Sequence, residues 1–131
     1  MTVRFLLDTQ IVVRWLAQPN RLSREQMRVL TQAAQNEEPL AVSTISLLEI
    51  AVLADAVNRR VPVRQLLLDL EDPRFRFLPI TLQIADEIAA IGDNLRDPAD
   101  RAIVSTARVH GLRLVTSDQR IVDSGLARVI E

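Results

Sequence analysis

The sequence predicts an α/β fold in which helices cover both faces of a parallel β-sheet. Short strand-like segments alternate along the chain with longer segments whose apolar residues recur at helical spacing. The strand-like segments are short and mainly apolar, which is typical of strands that are buried on both faces of a sheet. At 131 residues the chain fits one hydrophobic core. We therefore expect a single domain over residues 1–131.

The first half of the chain predicts two strands and four helices. Residues 3–7 are apolar and β-prone, and the apolar residues that follow Asp8 recur at helical spacing. Ser23 can cap a second helix that runs to about residue 36, with Gln26 as its capping-box partner. The remaining elements expected here are a strand at 40–43 and helices at 44–57 and 63–70.

The second half continues the alternation. Asp97 and Pro98 predict a helix start, because Asp is a preferred N-cap and Pro is favoured at the first helical position. Gly111 is expected to end this helix. The other expected elements are a strand at 75–78, a helix at 81–91, a strand at 112–115, a helical turn from 117 and an edge strand at 127–130.

The composition excludes several kinds of chemistry. The chain has no Cys, Tyr or Lys and one His, so all sixteen cationic side chains are Arg. A thiol nucleophile, a Cys- or His-rich zinc site, a P-loop lysine and a Schiff base are therefore excluded. The net charge of -1 gives no overall attraction to nucleic acid. With neither a signal peptide nor an apolar run of roughly 20 residues, the expected location is the cytoplasm, without a membrane.

Two acids lie at or just beyond the carboxyl ends of predicted strands. Right-handed crossovers bring the carboxyl ends of parallel strands to the same edge of a sheet, where ligands bind. Asp8 follows the first strand and Asp118 lies just beyond the fourth, so both are placed at this edge. The alternative for each acid is a purely structural role as the N-cap of the next helix.

Glu49 is the one charged residue between positions 44 and 54. A helix that is apolar on nearly every side is expected to be buried. A lone carboxylate there would cost several kcal/mol unless a cation accompanies it. A metal site, a salt bridge to an arginine and a narrow exposed stripe all remain open for Glu49.

Asp97 and Asp100 lie three residues apart at one helix start and face roughly the same way. Asp97 precedes Pro98 and is interpreted as the N-cap. Asp100 is free of that role, so its side chain can point across the strand ends toward Asp8 and Asp118.

Four short strings in this order and spacing resemble the PIN-domain family and, more narrowly, the toxin ribonucleases of the VapC type. They are LLDT at 6–9, SLLEI at 46–50, RDPADR at 96–101 and LVTSD at 114–118. The resemblance covers essentially the whole chain. It implies a three-layer fold with a parallel five-stranded sheet in the order 3-2-1-4-5.

The resemblance also implies the site and its chemistry. The acids that match the family's acidic positions are Asp8, Glu49, Asp100 and Asp118. Thr9 and Thr116 stand where a hydroxyl commonly supports the site. Oxygen ligands suit Mg²⁺ or Mn²⁺, and the implied activity is hydrolysis of RNA to a 5′-phosphate and a 3′-hydroxyl. The implied partners are a second copy of the chain and a small antitoxin protein.

Arg14, Arg101 and Arg120 flank the predicted acids and are candidate phosphate contacts, with solvated surface arginines as the alternative. Two other functions are weighed. A metal-dependent phosphotransfer domain also places Asp at a strand end, but such sites usually bind the phosphoryl group with a lysine. A non-catalytic interaction module with the same fold stays open.

Overall fold

The computed structural model describes residues 2–53 and 61–131. Five parallel strands form one sheet in the order β3-β2-β1-β4-β5, which confirms the predicted fold class and strand order. The strands are β1 Phe5–Leu7, β2 Leu40–Ser43, β3 Phe75–Leu78, β4 Arg113–Val115 and β5 Val129–Ile130.

Seven α-helices occur in the described ranges, and α2 and α6 begin at the caps predicted for them. The Ser23–Gln26 capping box is present at α2, and Asp97 caps α6. Gly111 adopts the left-handed conformation that ends α6. The helices are α1 Thr9–Ala17, α2 Arg24–Gln35, α3 Thr44–Val52, α4 Val63–Asp69, α5 Leu82–Ile91, α6 Pro98–His110 and α7 Gln119–Ser124.

Two apolar clusters lie on opposite faces of the sheet. Phe5 and Leu7 of β1 belong to a cluster with α1, α2 and α4. Leu6 points to the other face, where it packs with α5 and α6. Because neighbouring residues of a strand point to opposite faces, this division accounts for the uninterrupted apolar run of β1.

One expectation about burial was wrong. Helix α3 is not enclosed, since Leu48 and Val52 are 59% and 53% exposed. Ser46 and Ile50 are its buried residues. The helix packs one side against the fold and leaves an apolar side at the surface, which the composition of the segment cannot distinguish from full burial.

The bounds of several elements also differ from those expected. β1 and β5 are shorter than residues 3–7 and 127–130. The part of the predicted third helix beyond residue 53 lies outside the described residues. Over the described ranges, no helix has the length and apolarity needed to cross a membrane.

Candidate active site

The carboxyl ends of the two central strands, β1 and β4, carry the first part of the site. Leu7 pairs with Val115 in the sheet, so Asp8 and Thr116 follow neighbouring positions. The amide of Asp8 donates to the carbonyl of Val115 at 3.0 Å. The hydroxyl of Thr116, which is fully buried, donates to Asp8 Oδ2 at 2.7 Å. Thr116 therefore supports Asp8 directly.

Asp8 combines a structural role with a place in the site. Its Oδ1 accepts the amide hydrogen of Thr9 at 2.8 Å, so it caps α1. The residue is 7% exposed, and burial raises the pKa of its carboxyl. The hydrogen bonds from Thr116 and Thr9 oppose that rise, while the charges of Glu49 and Asp118 add to it. Capping and membership of the site are thus compatible.

Glu49 is held by the hydroxyl of Thr9, which the hydroxyl of Ser46 contacts in turn. Thr9 Oγ1 donates to Glu49 Oε1 at 2.6 Å and lies 2.7 Å from the hydroxyl of Ser46, one helical turn before Glu49. Within residues 2–53 and 61–131, Glu49 forms no ion pair with an arginine. Of the readings left open by the sequence, the salt bridge is therefore not observed in these ranges.

The start of α6 separates the roles of its two acids as predicted. Asp97 Oδ1 accepts the amide hydrogens of Ala99 and Asp100 at 2.8 and 3.1 Å, which is the N-cap arrangement. Asp100 does not cap the helix, and its pKa is raised to about 7. Partial burial is the main cause, and the charges of Asp97, Asp118 and Asp8 contribute.

Asp118 is paired with a nearby arginine. It caps α7 through the amide of Arg120 at 3.0 Å, and the guanidinium of Arg120 donates to both of its carboxylate oxygens at 3.2 and 2.9 Å. These hydrogen bonds hold the pKa of Asp118 below its ordinary value. Arg120 also lies 3.7 Å from Asp100, so one arginine faces two of the predicted acids.

A single open pocket of about 830 Å³ brings the predicted acids together. Arg14 and Arg120 lie in its wall, whereas Arg101 is placed elsewhere. The side chain of Arg101 donates to the carbonyl of Leu95 and lies 3.8 Å from Asp93. The predicted site residues that line the pocket are Asp8, Thr9, Glu49, Asp100, Asp118, Arg14 and Arg120.

Three residues of this region were not assigned to the site from the sequence. Ser46 is fully buried against Thr9, and its place one turn before Glu49 was the available signal. Arg21 lines the pocket from a short 3₁₀ turn, where no periodicity indicates direction. Gln26 was interpreted only as a capping residue, yet its amide also donates to the carbonyl of Thr116 and to the Ser117 hydroxyl.

The donor atoms of the pocket suit a hard divalent cation, although the acidic side chains are widely spaced. The donors are carboxylate and hydroxyl oxygens, which Mg²⁺ and Mn²⁺ prefer. The ionised forms of Asp8 and Asp100 are disfavoured first by burial and then by neighbouring negative charge, and a bound cation would offset this cost. In the described part of the chain, no three acidic or histidine side chains are already close enough to hold one ion. A cation bound by three or more of the predicted acids would therefore require their carboxylates to lie closer together than they do here.

Comparison with known proteins places this chain in a defined family. The sequence profile of the PIN domain matches residues 5–125. Ribonuclease VapC22 of Mycobacterium tuberculosis (strain ATCC 25618 / H37Rv) is 38% identical over 119 residues, which are 88% of each chain. Among solved structures, VapBC2 of Rickettsia felis bound to a promoter DNA fragment has a TM-score of 0.73 at 17% identity and 98% coverage of both chains.

FitAcB of Neisseria gonorrhoeae is a further structural neighbour, with a TM-score of 0.69 at 24% identity over 97% of this chain and 96% of that one. The fold and pocket define an α/β protein whose carboxylates line one pocket at the carboxyl edge of its sheet. This chain belongs to the PIN-domain family. Nucleases of this family generally need a divalent metal ion.

Proposed function

We propose that this protein is a Mg²⁺- or Mn²⁺-dependent endoribonuclease. The observation that carries the proposal is the shared pocket of Asp8, Glu49, Asp100 and Asp118 at the carboxyl edge of the sheet. The similarity of this chain to ribonuclease VapC22, which covers most of both chains, supports RNA as the substrate class.

The four acids are the proposed ligands of the cation. When bound, Mg²⁺ or Mn²⁺ lowers the pKa of a water molecule and stabilises the negative charge that develops on the phosphate and leaving oxygens. Attack of water on phosphorus breaks the bond to the 3′ oxygen and leaves a 5′-phosphate and a 3′-hydroxyl. Negative charge develops on the phosphate and on the leaving oxygen, and carboxylates are themselves negative. The acids alone therefore cannot balance this charge, and a cation is needed.

The other residues of the pocket position these acids and the RNA. Thr116 and Thr9 fix the carboxylates of Asp8 and Glu49 by donating hydrogen bonds to them. Arg14 and Arg120 stand at the pocket wall and are the proposed phosphate contacts. Arg101, turned toward Leu95, is the weakest of the three arginine candidates.

The test of this activity is incubation of the purified protein with single-stranded RNA and with p-nitrophenyl phosphate, each with Mg²⁺, Mn²⁺ or EDTA. We expect metal-dependent cleavage of the RNA and little release of p-nitrophenol. Release of p-nitrophenol without RNA cleavage would favour a phosphotransfer domain. Inactivity on both substrates, with every metal, would favour a non-catalytic interaction module.

We propose further that the enzyme is the toxin of a toxin–antitoxin pair and forms a homodimer. Structural neighbours that are toxin–antitoxin complexes support the first part. Exposed apolar side chains support contact with another protein chain. Leu82 is 91% exposed, and Leu48 and Val52 are more than half exposed.

Expression in a host cell tests the toxin proposal independently of the nuclease proposal. We expect the wild-type gene to arrest growth alone and to be tolerated together with the open reading frame beside it. Harmless expression of folded protein that still cleaves RNA in vitro would contradict the toxin role and leave the nuclease activity standing.

A further inference from the structure

The guanidinium of Arg120 occupies the space between two proposed metal ligands. It lies 2.9 Å from Asp118 Oδ2 and 3.7 Å from Asp100 Oδ2. The arginine side chain is 73% exposed, whereas those of Asp100 and Asp118 are 14% and 22% exposed. A solvent-exposed cation thus faces two partly buried carboxylates that it reaches from the pocket wall.

A local motif alone does not account for this arrangement. Arg74 binds Asp72 in the same way two residues apart, with an amide contact at 2.9 Å and guanidinium contacts at 3.1 and 2.9 Å. The Asp72–Arg74 pair therefore shows what the sequence spacing produces by itself. Arg120 differs because a second carboxylate, that of Asp100, lies within 4 Å of its guanidinium.

The surrounding charges explain why this difference matters. Asp8, Asp97 and Glu49 line the same pocket, so removing Arg120 would leave five carboxylates without the cation now nearest to Asp100 and Asp118. A divalent ion that binds Asp100 and Asp118 must either displace the guanidinium or tolerate a positive charge beside it. Both outcomes weaken binding of the ion relative to a pocket without that arginine.

We propose that Arg120 is a tethered counter-ion that holds Asp100 and Asp118 in the metal-free protein and is displaced when a divalent cation binds. This inference rests on the proposed function, since it takes the acids as metal ligands. It makes Arg120 a positioning residue that sets the affinity for the ion. It also explains why the acids share a pocket without already forming a closed ion site.

The test is calorimetric titration of the intact protein with Mn²⁺ and with Mg²⁺, comparing wild type, Arg120→Gln, Arg120→Glu and Arg120→Lys. Because exposed ion pairs are weak, Arg120→Gln should lower the metal Kd by a modest factor, about 1.5- to fivefold. Arg120→Glu should lower it further, and Arg120→Lys should restore a value near that of wild type because the charge is kept.

Arg74→Gln is the matched control, because it removes the same local pair away from the pocket. It should leave the metal Kd at the wild-type value. In EDTA, Arg120→Gln should melt at a lower temperature than Arg74→Gln, since it also releases the repulsion between Asp100 and Asp118.

The outcomes separate this inference from the proposed function. A wild-type protein that binds neither Mn²⁺ nor Mg²⁺ would overturn the metal site, and the counter-ion role with it. Normal metal binding with Arg120→Gln equal to Arg74→Gln would overturn the counter-ion role alone. Weaker metal binding by Arg120→Gln would also overturn it, because the arginine would then be assisting the ion.

Discussion

At the scale of single residues, the pocket changes the acidity of Asp100. Its pKa of about 7, against an ordinary value of 3.8, follows from partial burial and from the neighbouring acids. The folded protein therefore holds this proton more tightly than the unfolded chain between about pH 4 and pH 7. The stabilisation is fully present below pH 4 and is lost as the pH rises through 7.

This shift predicts how Asp100→Asn behaves in EDTA. The variant should match wild type near pH 4 and have the higher melting temperature at pH 8, because the wild-type carboxylate is then ionised among other acids. Since one pKa unit corresponds to about 1.4 kcal/mol, a difference of about 3 °C or more is expected. Thermal melts across this pH range provide the measurement.

Asp86→Asn on the exposed side of α5 is the control for this experiment, since it removes an exposed charge that does not line the pocket. Its effect should vary little with pH. A constant difference between Asp100→Asn and wild type from pH 4 to pH 8 would mean that Asp100 is not placed among the acids as described.

Asp8 and Asp97 offer a second comparison between residues that both cap helices. Asp8→Asn should abolish metal-dependent RNA cleavage, because Asp8 is a proposed ligand. Asp97→Asn should keep most of it, since Asn caps a helix about as well as Asp. Cleavage rates in Mg²⁺ decide this, and equal losses in the two variants would show that the acids were assigned wrongly.

At the scale of secondary-structure elements, the site depends on a connection between α2 and the end of β4. Gln26 is fully buried, and its side chain accepts from the Ser23 amide and donates to Thr116 and Ser117. It thereby fixes the turn that carries Thr116 and Asp118. α2 is distant in sequence from Thr116 and Asp118, yet it helps to orient both residues.

Gln26→Leu should disturb this connection. It leaves buried donors and acceptors unpaired, which costs about 1–3 kcal/mol, and it should also reduce the melting shift produced by excess Mg²⁺. Ser23→Ala is the matched variant, because it removes the other half of the capping box and costs about 1 kcal/mol. An undiminished Mg²⁺ shift in Gln26→Leu would restrict Gln26 to a structural role.

Most elements were predictable because their signals are local. Helix caps such as Ser23 and Asp97, and short, mainly apolar strands, depend on a few adjacent residues. The exposure of Leu48 and Val52 was not predictable, because it depends on which side of α3 meets the fold. The roles of Gln26 and Arg120 depend on contacts between segments that no spacing reveals.

At the scale of the whole molecule, the sheet order brings distant parts of the chain to one edge. Asp8, Glu49, Asp100 and Asp118 come from the ends of β1 and β4 and from helices α3 and α6, yet they line one pocket. The resemblance in the sequence named these four acids in advance. That these acids bind a metal ion remains a prediction, because their placement in one pocket does not by itself show metal binding.

The most direct test is mapping of RNA ends in cells after brief expression of wild type and of Asp8→Asn at equal levels of folded protein. We predict new internal ends with a 5′-phosphate and a 3′-hydroxyl in cells with wild type, and their absence with the variant. The same ends should form in vitro with Mg²⁺ or Mn²⁺ and disappear with EDTA. Identical RNA ends for both proteins, or wild-type cleavage that persists in EDTA, would contradict a metal-dependent ribonuclease site built on these acids.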